Sequence, residues 1–473
     1  MRPQLYIFLL LTTVMVVSCS RSFDPDVRTG ATPTLIEGHP DIRMAAIGFF
    51  DEDGNPVLDV DTDIIYNSLI YKSTNDVFEA EVGIQIQVLS VKDGRDNQLV
   101  ENRSYVIDVK EENRRIIESK EALHVHDRID LEPGRYEVVV AVTDQSSGKT
   151  TRTKANASIF DPDSNEPDLT HIKVLGIESN SDKEPFPITT YNIPGDADSL
   201  SFQFYVTKPD AENEMSIDMR LIEFASDTLP PRDMSGVQPN PGSILYRGIN
   251  YNNSDVIEEA NRTLLNETGT ILIEYSTIRP PTGNFRFQVT TNSGESELQK
   301  ARDFSLKSKN YPYIENTREM ARPLAYLMNR REYERMMEIG DKDSLKAAID
   351  NFWYDNLKSV DLARRVIELY YTRVEEANKQ FSSFKEGWMT DMGMVYILFG
   401  PPYYVERSLD TYIWIYGYDR GDPNRVFQFQ RTRMGSEGYP FDHYILNRRR
   451  FYHTIEYQQR EEWLNGTILK RSL

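Results

Sequence analysis

Asp391 lies at the end of Gly387-Trp388-Met389-Thr390-Asp391, where an acidic group follows directly on a large aromatic one. If Asp355 or Glu386 were brought close to it, the pair could perform the two-carboxylate acid/base chemistry of glycoside hydrolysis. The other reading is structural: Thr390 and Asp391 are suited to local backbone hydrogen bonds in a turn. Tyr412, Trp414, Tyr416 and Tyr418 alternate on one face of an expected strand. Such a row is either a platform for sugar rings or peptide, or a core face beneath helices.

Other groupings carry weaker chemistry. His124 and His126 share one strand face, a spacing that could present two imidazoles to a metal, but no third ligand is evident. They are expected on a wet face. Asp59, Asp61 and Asp63 mimic the start of a calcium loop, yet Ile64 and Ile70 stand where such a loop needs glycine and glutamate, so the loop is rejected. Arg448-Arg449-Arg450 reads as a solvated turn. No Gly-rich phosphate loop, zinc-protease helix or Gly-x-Ser-x-Gly elbow is present. A scattered Ser-His-Asp set stays open, with His443 and His453 the only C-terminal bases. The expectation is a protein that is not an enzyme and uses no metal or cofactor.

These residues are spread over 473 positions, enough for about three domains of roughly 150 residues. The net charge of -20 argues against nucleic acid, whose binders need a basic face, and against docking on anionic lipid by charge. Attachment is expected elsewhere. Arg2 precedes an apolar run from Leu5 to Val17, too short to span a bilayer, which needs ~20 residues. Val16-Val17-Ser18-Cys19 resembles the lipobox of bacterial lipoproteins. That resemblance implies cleavage before Cys19, acylation of its thiol, and membrane attachment by lipid. Cys19 is the single cysteine, so internal disulfides, thiol nucleophiles and thiolate metal sites are excluded. Ser20 follows it in place of the aspartate that can mark inner-membrane retention, which favours the outer membrane, facing the periplasm or the cell surface.

The chain divides by periodicity. Residues 1–19 are a leader and 20–42 a Ser-, Asp- and Pro-rich tether. Residues 43–161 alternate at period two, as in Val82, Ile84, Ile86 and Val88, with turns at Asp53-Gly54, Asp93-Gly94, Pro133-Gly134 and Ser147-Gly148. Residues 162–310 repeat the theme through Leu200, Phe202, Phe204 and Val206. Pro281-Thr282-Gly283-Asn284-Phe285 echoes Pro133-Gly134-Arg135-Tyr136, and the two following Ser-Gly turns are 146 residues apart (294 minus 148). Two immunoglobulin-like antiparallel β-sandwiches follow from this, the second a copy of the first.

From residue 311 to 473 the period approaches four. Helices are expected over 322–339, 343–353 and 360–381, the last capped by Ser359. Strands are expected over 394–399, 412–418 and 426–431, giving an α+β domain of helices followed by a small antiparallel sheet. Gly387 is expected to end the long helix in a left-handed conformation. Gly400-Pro401-Pro402 is expected to end the first strand.

Phe352-Trp353, Tyr370-Tyr371, Ala377-Asn378, the Gly387–Asp391 motif, Val395 to Pro402 and Trp414-Ile415-Tyr416, in that order, resemble the GWxTD domain family of exported bacterial proteins. The family commonly has arginine after the aspartate, where this chain has Met392. The resemblance implies an architecture but no reaction. The expected role is a lipid-anchored scaffold or binding protein of the cell envelope. It would use Gly387, Trp388, Thr390, Asp391, Gly400 and Pro401 to meet an envelope protein or glycan. The alternatives are a hydrolase acting through Asp391 and a carbohydrate-binding module built on Tyr412, Trp414 and Tyr416.

Overall fold

The computed structural model describes residues 22–23 and 38–470, apart from 52, 93–96, 118–120, 180–183, 237–244, 247, 267, 294–295, 409, 418–424 and 435–442. Cys19 and Tyr418 lie outside the described residues. So do the Asp93-Gly94 turn and Gly294.

Alternating apolar residues produce two sandwiches of one design. In the first, β1 (Ile42–Phe50), β2 (Pro56–Ile65) and β5 (Ala122–Asp130) form one sheet in the order β1-β2-β5. Strands β3 (Val77–Ser90), β4 (Gln98–Glu111), β6 (Gly134–Asp144) and β7 (Lys149–Ile159) form the other, ordered β4-β3-β6-β7. Val82, Ile84, Ile86, Val138, Val140 and Val142 are buried between them. The second sandwich has β8 (Lys173–Ile177), β9 (Ser199–Lys208) and β12 (Gly269–Ile278), ordered β8-β9-β12. Against these lie β10 (Met215–Ser226), β11 (Ile249–Leu264), β13 (Gly283–Ser293) and β14 (Ser296–Leu306), ordered β11-β10-β13-β14. Sequence order and sheet order thus agree for these principal strands, three facing four in each copy.

The echoed hairpin explains one difference between the copies. Tyr136, near the start of β6, donates its hydroxyl to the Glu132 carbonyl four residues upstream. This is the corner contact typical of immunoglobulin-like sandwiches. Phe285 occupies the matching place in β13 and keeps the buried ring without the hydroxyl.

Between the sandwiches runs a ladder of charge. Asp59, Asp61 and Asp63 on β2 stand opposite Arg128, His126 and His124 on β5. All three aspartates are buried, because residues of the second sandwich cover that face of the central strand. Lys173 reaches Asp59 at 2.7 Å and Thr189 donates to Asp63. Tyr205 packs on Phe49 at 4.6 Å between ring centroids and donates to the Phe50 carbonyl at 3.2 Å. The two histidines keep the wet strand face expected of them, their side chains 45% and 46% exposed, while their ring nitrogens reach the buried aspartates beside the inter-module seam.

The last module begins with short helices α1 (Thr317–Ala321) and α2 (Arg330–Met337), then α3 (Lys342–Leu357) and α4 (Val360–Phe381). Ser359 caps α4 by accepting from the Leu362 amide, as its position in the sequence implies. The expected strand over 394–399 is instead helix α5 (Asp391–Phe399). Its residues are buried on every side, so period could not separate helix from strand. After it come β15 (Tyr404–Arg407), β16 (Thr411–Ile415), β17 (Val426–Arg431) and β18 (Tyr444–Leu446) in one antiparallel sheet. Helix α6 (Tyr452–Leu464) closes the module. Among the described residues, no helix is long and apolar enough to cross a membrane.

Candidate functional site

Gly387 does not close α4 in a left-handed conformation, as the sequence reading had it. It opens a short 3-10 turn, Gly387–Met389, laid against the side of α4. A Cβ at Gly387 would lie 2.0 Å from the Ala377 carbonyl oxygen, so the approach admits no side chain. The Gly387 amide donates to the Tyr311 hydroxyl at 3.3 Å, and the Trp388 amide donates to Asn378 Oδ1 at 3.1 Å. Trp388 does fold back as an anchor. It is 2% exposed, its indole N–H donates to Glu386, and Arg322 lies over its ring.

Thr390 is the pivot between turn and helix. Its hydroxyl donates to the Gly387 carbonyl at 2.7 Å and accepts from the Gly393 amide at 3.0 Å, capping α5. Gly400 ends that helix at φ +82°, its amide donating to the Tyr396 carbonyl. The Tyr416 hydroxyl donates to the Gly400 carbonyl at 2.7 Å. A side chain at Gly400 would meet the Arg373 guanidinium at 2.8 Å. That buried guanidinium donates to the Ile397 and Leu398 carbonyls, placing positive charge at the negative end of the helix. Pro401 follows at the surface.

Asp391 departs from the expectation of purely local bonds. Both carboxylate oxygens accept from the Arg448 guanidinium, each at 2.7 Å, and Oδ2 also accepts from the Leu446 amide at 2.7 Å. The side chains of Arg448 and Asp391 are 3% and 8% exposed. Of the run expected as a solvated turn, Arg449 and Arg450 are exposed, whereas Arg448 is not. Arg448 reaches Asp391 from 57 positions away in the chain. The same guanidinium donates to the carbonyls of Arg232 (2.9 Å) and Asp233 (3.0 Å), in the connection between β10 and β11 of the second sandwich. Met234 beside them is fully buried in the core of the last module.

The partners considered for a carboxylate pair are engaged otherwise. Glu386 pairs with Arg322 at 3.0 Å and takes the Trp388 indole, while Asp355, on α3, is exposed beside Lys358. Nor does the aromatic row form a platform. Tyr412, Trp414 and Tyr416 are 5%, 4% and 8% exposed. Trp414 meets Phe381 of α4 at 5.4 Å, and Tyr412 meets Tyr444 at 4.8 Å. Ser383 and His443 do meet, at 3.4 Å, but both are buried, and burial beside Lys385 pushes the imidazole down to about 3. No group of three metal-ligating side chains forms among the described residues.

Behind the Gly387 turn lies a cleft of about 630 Å3 where all three modules meet. Asp63 and His124, Phe186, and Tyr311 and Asn378 contribute to its walls.

The fold and site define a class: two antiparallel sandwiches followed by an α+β module built around a buried Gly-Trp-x-Thr-Asp turn. Residues 287–465 match the GWxTD domain, so the chain carries a GWxTD domain in its last part. The match begins at Phe287, inside the last hairpin of the second sandwich. No curated protein matches the chain. Among solved structures, a red sea bream transglutaminase is 10% identical, covering 57% of this chain and 31% of its own, at a TM-score of 0.19. The C-terminal domain of the Streptococcus agalactiae AgI/II polypeptide BspA is 9% identical, covering 56% and 99%, at 0.17. That of the Streptococcus pyogenes antigen I/II-family protein AspA is 10% identical, covering 58% and 100%, at 0.18. At such scores these likenesses carry no argument.

Proposed function

We propose that this protein is a lipid-tethered, non-enzymatic scaffold of the cell envelope, in which two sandwiches carry the GWxTD domain to a partner. One observation carries the reading: the motif carboxylate is spent on a buried, bidentate arginine pair that also grips the second sandwich. A general acid or base has to reach the proton that it moves, whereas Asp391 is buried with both oxygens accepting from protein donors. The Lys173–Asp59 contact ties the first sandwich to the second in the same manner. The three modules then form one arm, and Cys19 would anchor its end by acylation.

Labelled fatty acid fed to cells should enter the chain and be lost in Cys19→Ser, with the protein moving to the soluble fraction. Crosslinking in intact envelope should give a discrete adduct that persists in wild type and disappears in Trp388→Ala at matched abundance. A full-length chain that is never acylated would sink the anchoring half. Turnover of an envelope glycan or peptide by purified protein, lost in Asp391→Asn, would sink the non-enzymatic half.

A further inference from the structure

Arg448 belongs to a second set of contacts whose geometry is that of a peptide-binding socket. Its Nε donates to the Asp233 carbonyl and its Nη2 to the Arg232 carbonyl. The next residue, Arg449, donates its amide to the Met234 carbonyl at 3.3 Å. From α6, Glu456 accepts the Met234 amide at 3.0 Å. Three carbonyls and one amide of the segment 232–234 are therefore held by the last module, two of the carbonyls by one guanidinium. The Met234 side chain, fully buried, fills an apolar hole in that module's core. Asp233 faces Arg460 at 3.6 Å.

This pattern divides recognition as peptide-binding sites do, with main-chain bonds for grip and one side-chain pocket for selection. We infer that the face formed by Arg448, Arg449, Glu456 and Arg460 is a binding site for a short acidic peptide segment. Its ligand class is a residue with a free carbonyl, then an acidic residue, then a slender unbranched apolar residue. Arg232-Asp233-Met234 is the copy of that ligand carried by the chain itself. Asp391 acts here as a positioning residue: it holds the guanidinium flat so that Nε and Nη2 point at the two carbonyls. Burial raises the Glu456 carboxyl above the ordinary range, and its charge is met by Arg460 at 3.3 Å as well as by the Met234 amide. A partner segment of the same pattern would displace the internal one, which deepens the proposed scaffold role by giving the partner a chemistry. The inference rests on that reading only for its biology, since socket binding is measured without lipid or envelope.

The experiment uses the full-length chain with Arg232-Asp233-Met234 replaced by Gly-Ser-Gly, and a labelled synthetic peptide spanning Leu229 to Gly236. Fluorescence anisotropy should show saturable binding to the replaced chain and at least tenfold weaker binding to the unaltered chain, whose socket is filled. Two altered peptides leave the protein untouched: Met234→Asp, and one N-methylated at the Met234 amide. Each should lose at least tenfold in affinity. No saturable binding to a folded replaced chain overturns the inference, as does equal binding by both altered peptides. A replaced chain that no longer folds, seen by near-UV circular dichroism, overturns it too, because the segment would then be core and not ligand. Anchoring and envelope crosslinking could fail while peptide binding succeeds, so the two readings fall separately.

Discussion

Asp391 and Arg448, 57 positions apart, face each other through two hydrogen bonds of 2.7 Å in a site almost closed to water. Removing one member of a buried ion pair is strongly unfavourable because the other charge is left without compensation. Asp391→Asn keeps the shape and discards the charge, leaving the guanidinium buried. It is expected to cost about 3–5 kcal/mol. Urea denaturation followed by tryptophan fluorescence reads this directly, since Trp353, Trp388, Trp414 and Trp463 all lie in the last module. A loss below about 1 kcal/mol would mean that water already compensates the pair.

Gly387→Ala tests the contact of the motif with α4. The added Cβ would meet backbone, the Ala377 carbonyl at 2.0 Å, not a side chain that could turn away. The turn must then move off the helix, breaking the Trp388–Asn378 bond with it. The expected result is a loss of at least about 3 kcal/mol, within the range of severe core disruption. Gly340→Ala is the control, because nothing lies within 4 Å of its Cβ position.

The pH dependence should have opposite signs in different parts of the chain. Hydrogen bonds to Asp63 and Asp61 hold His124 and His126 above their ordinary value of 6.5, against the effect of burial, with Asp59 and Lys173 also facing His126. A raised histidine stabilises the fold fully below its unfolded value and loses that contribution as pH rises through the folded one. Hydrogen exchange at the seam between the sandwiches should therefore quicken as pH rises above 6.5, after correction for intrinsic rates. In the last module, burial holds His443 down to about 3, with Lys385 adding to it and Asp391 and Asp227 opposing. Its neutral form is favoured by folding, so stability is present above 6.5 and lost as pH falls toward 3, by up to about 5 kcal/mol. Tryptophan-monitored stability should fall across that window in wild type and flatten in His443→Phe.

The sandwiches were readable where a strand buries one face more deeply than the other, as at Val82 to Val88. The hairpin echo at Tyr136 and Phe285 disclosed the copy because the same glycine-led turn must clear the same ring. Ser359 was readable as a cap because a cap is local. The run from Met394 to Phe399 was not, being apolar on all sides; the usable signal was Thr390 at its start and Gly400 at its end. The Asp391–Arg448 pair has no local trace, since 57 residues and a whole sheet intervene. The charge ladder was legible in part. Asp59, Asp61 and Asp63 repeat at period two, as do His124, His126 and Arg128, but their pairing is set by register.

Trp414 separates a core residue from a platform. Its ring is enclosed by Phe381 on α4 at 5.4 Å and by Phe429 on β17 at 4.8 Å, and 4% of the residue is exposed. A buried ring of this size, truncated to Ala, leaves a cavity that neighbours on a helix and a sheet cannot both close. The expected cost is about 3–5 kcal/mol, with Trp414→Phe losing clearly less because it keeps most of the packing. Thermal denaturation of the two variants provides the measure. An exposed platform would behave otherwise, as surface substitutions usually change stability by no more than about 0.5 kcal/mol. If Trp414→Ala melted with wild type, the ring could not be supporting α4, and the case for a buried row would fail with it.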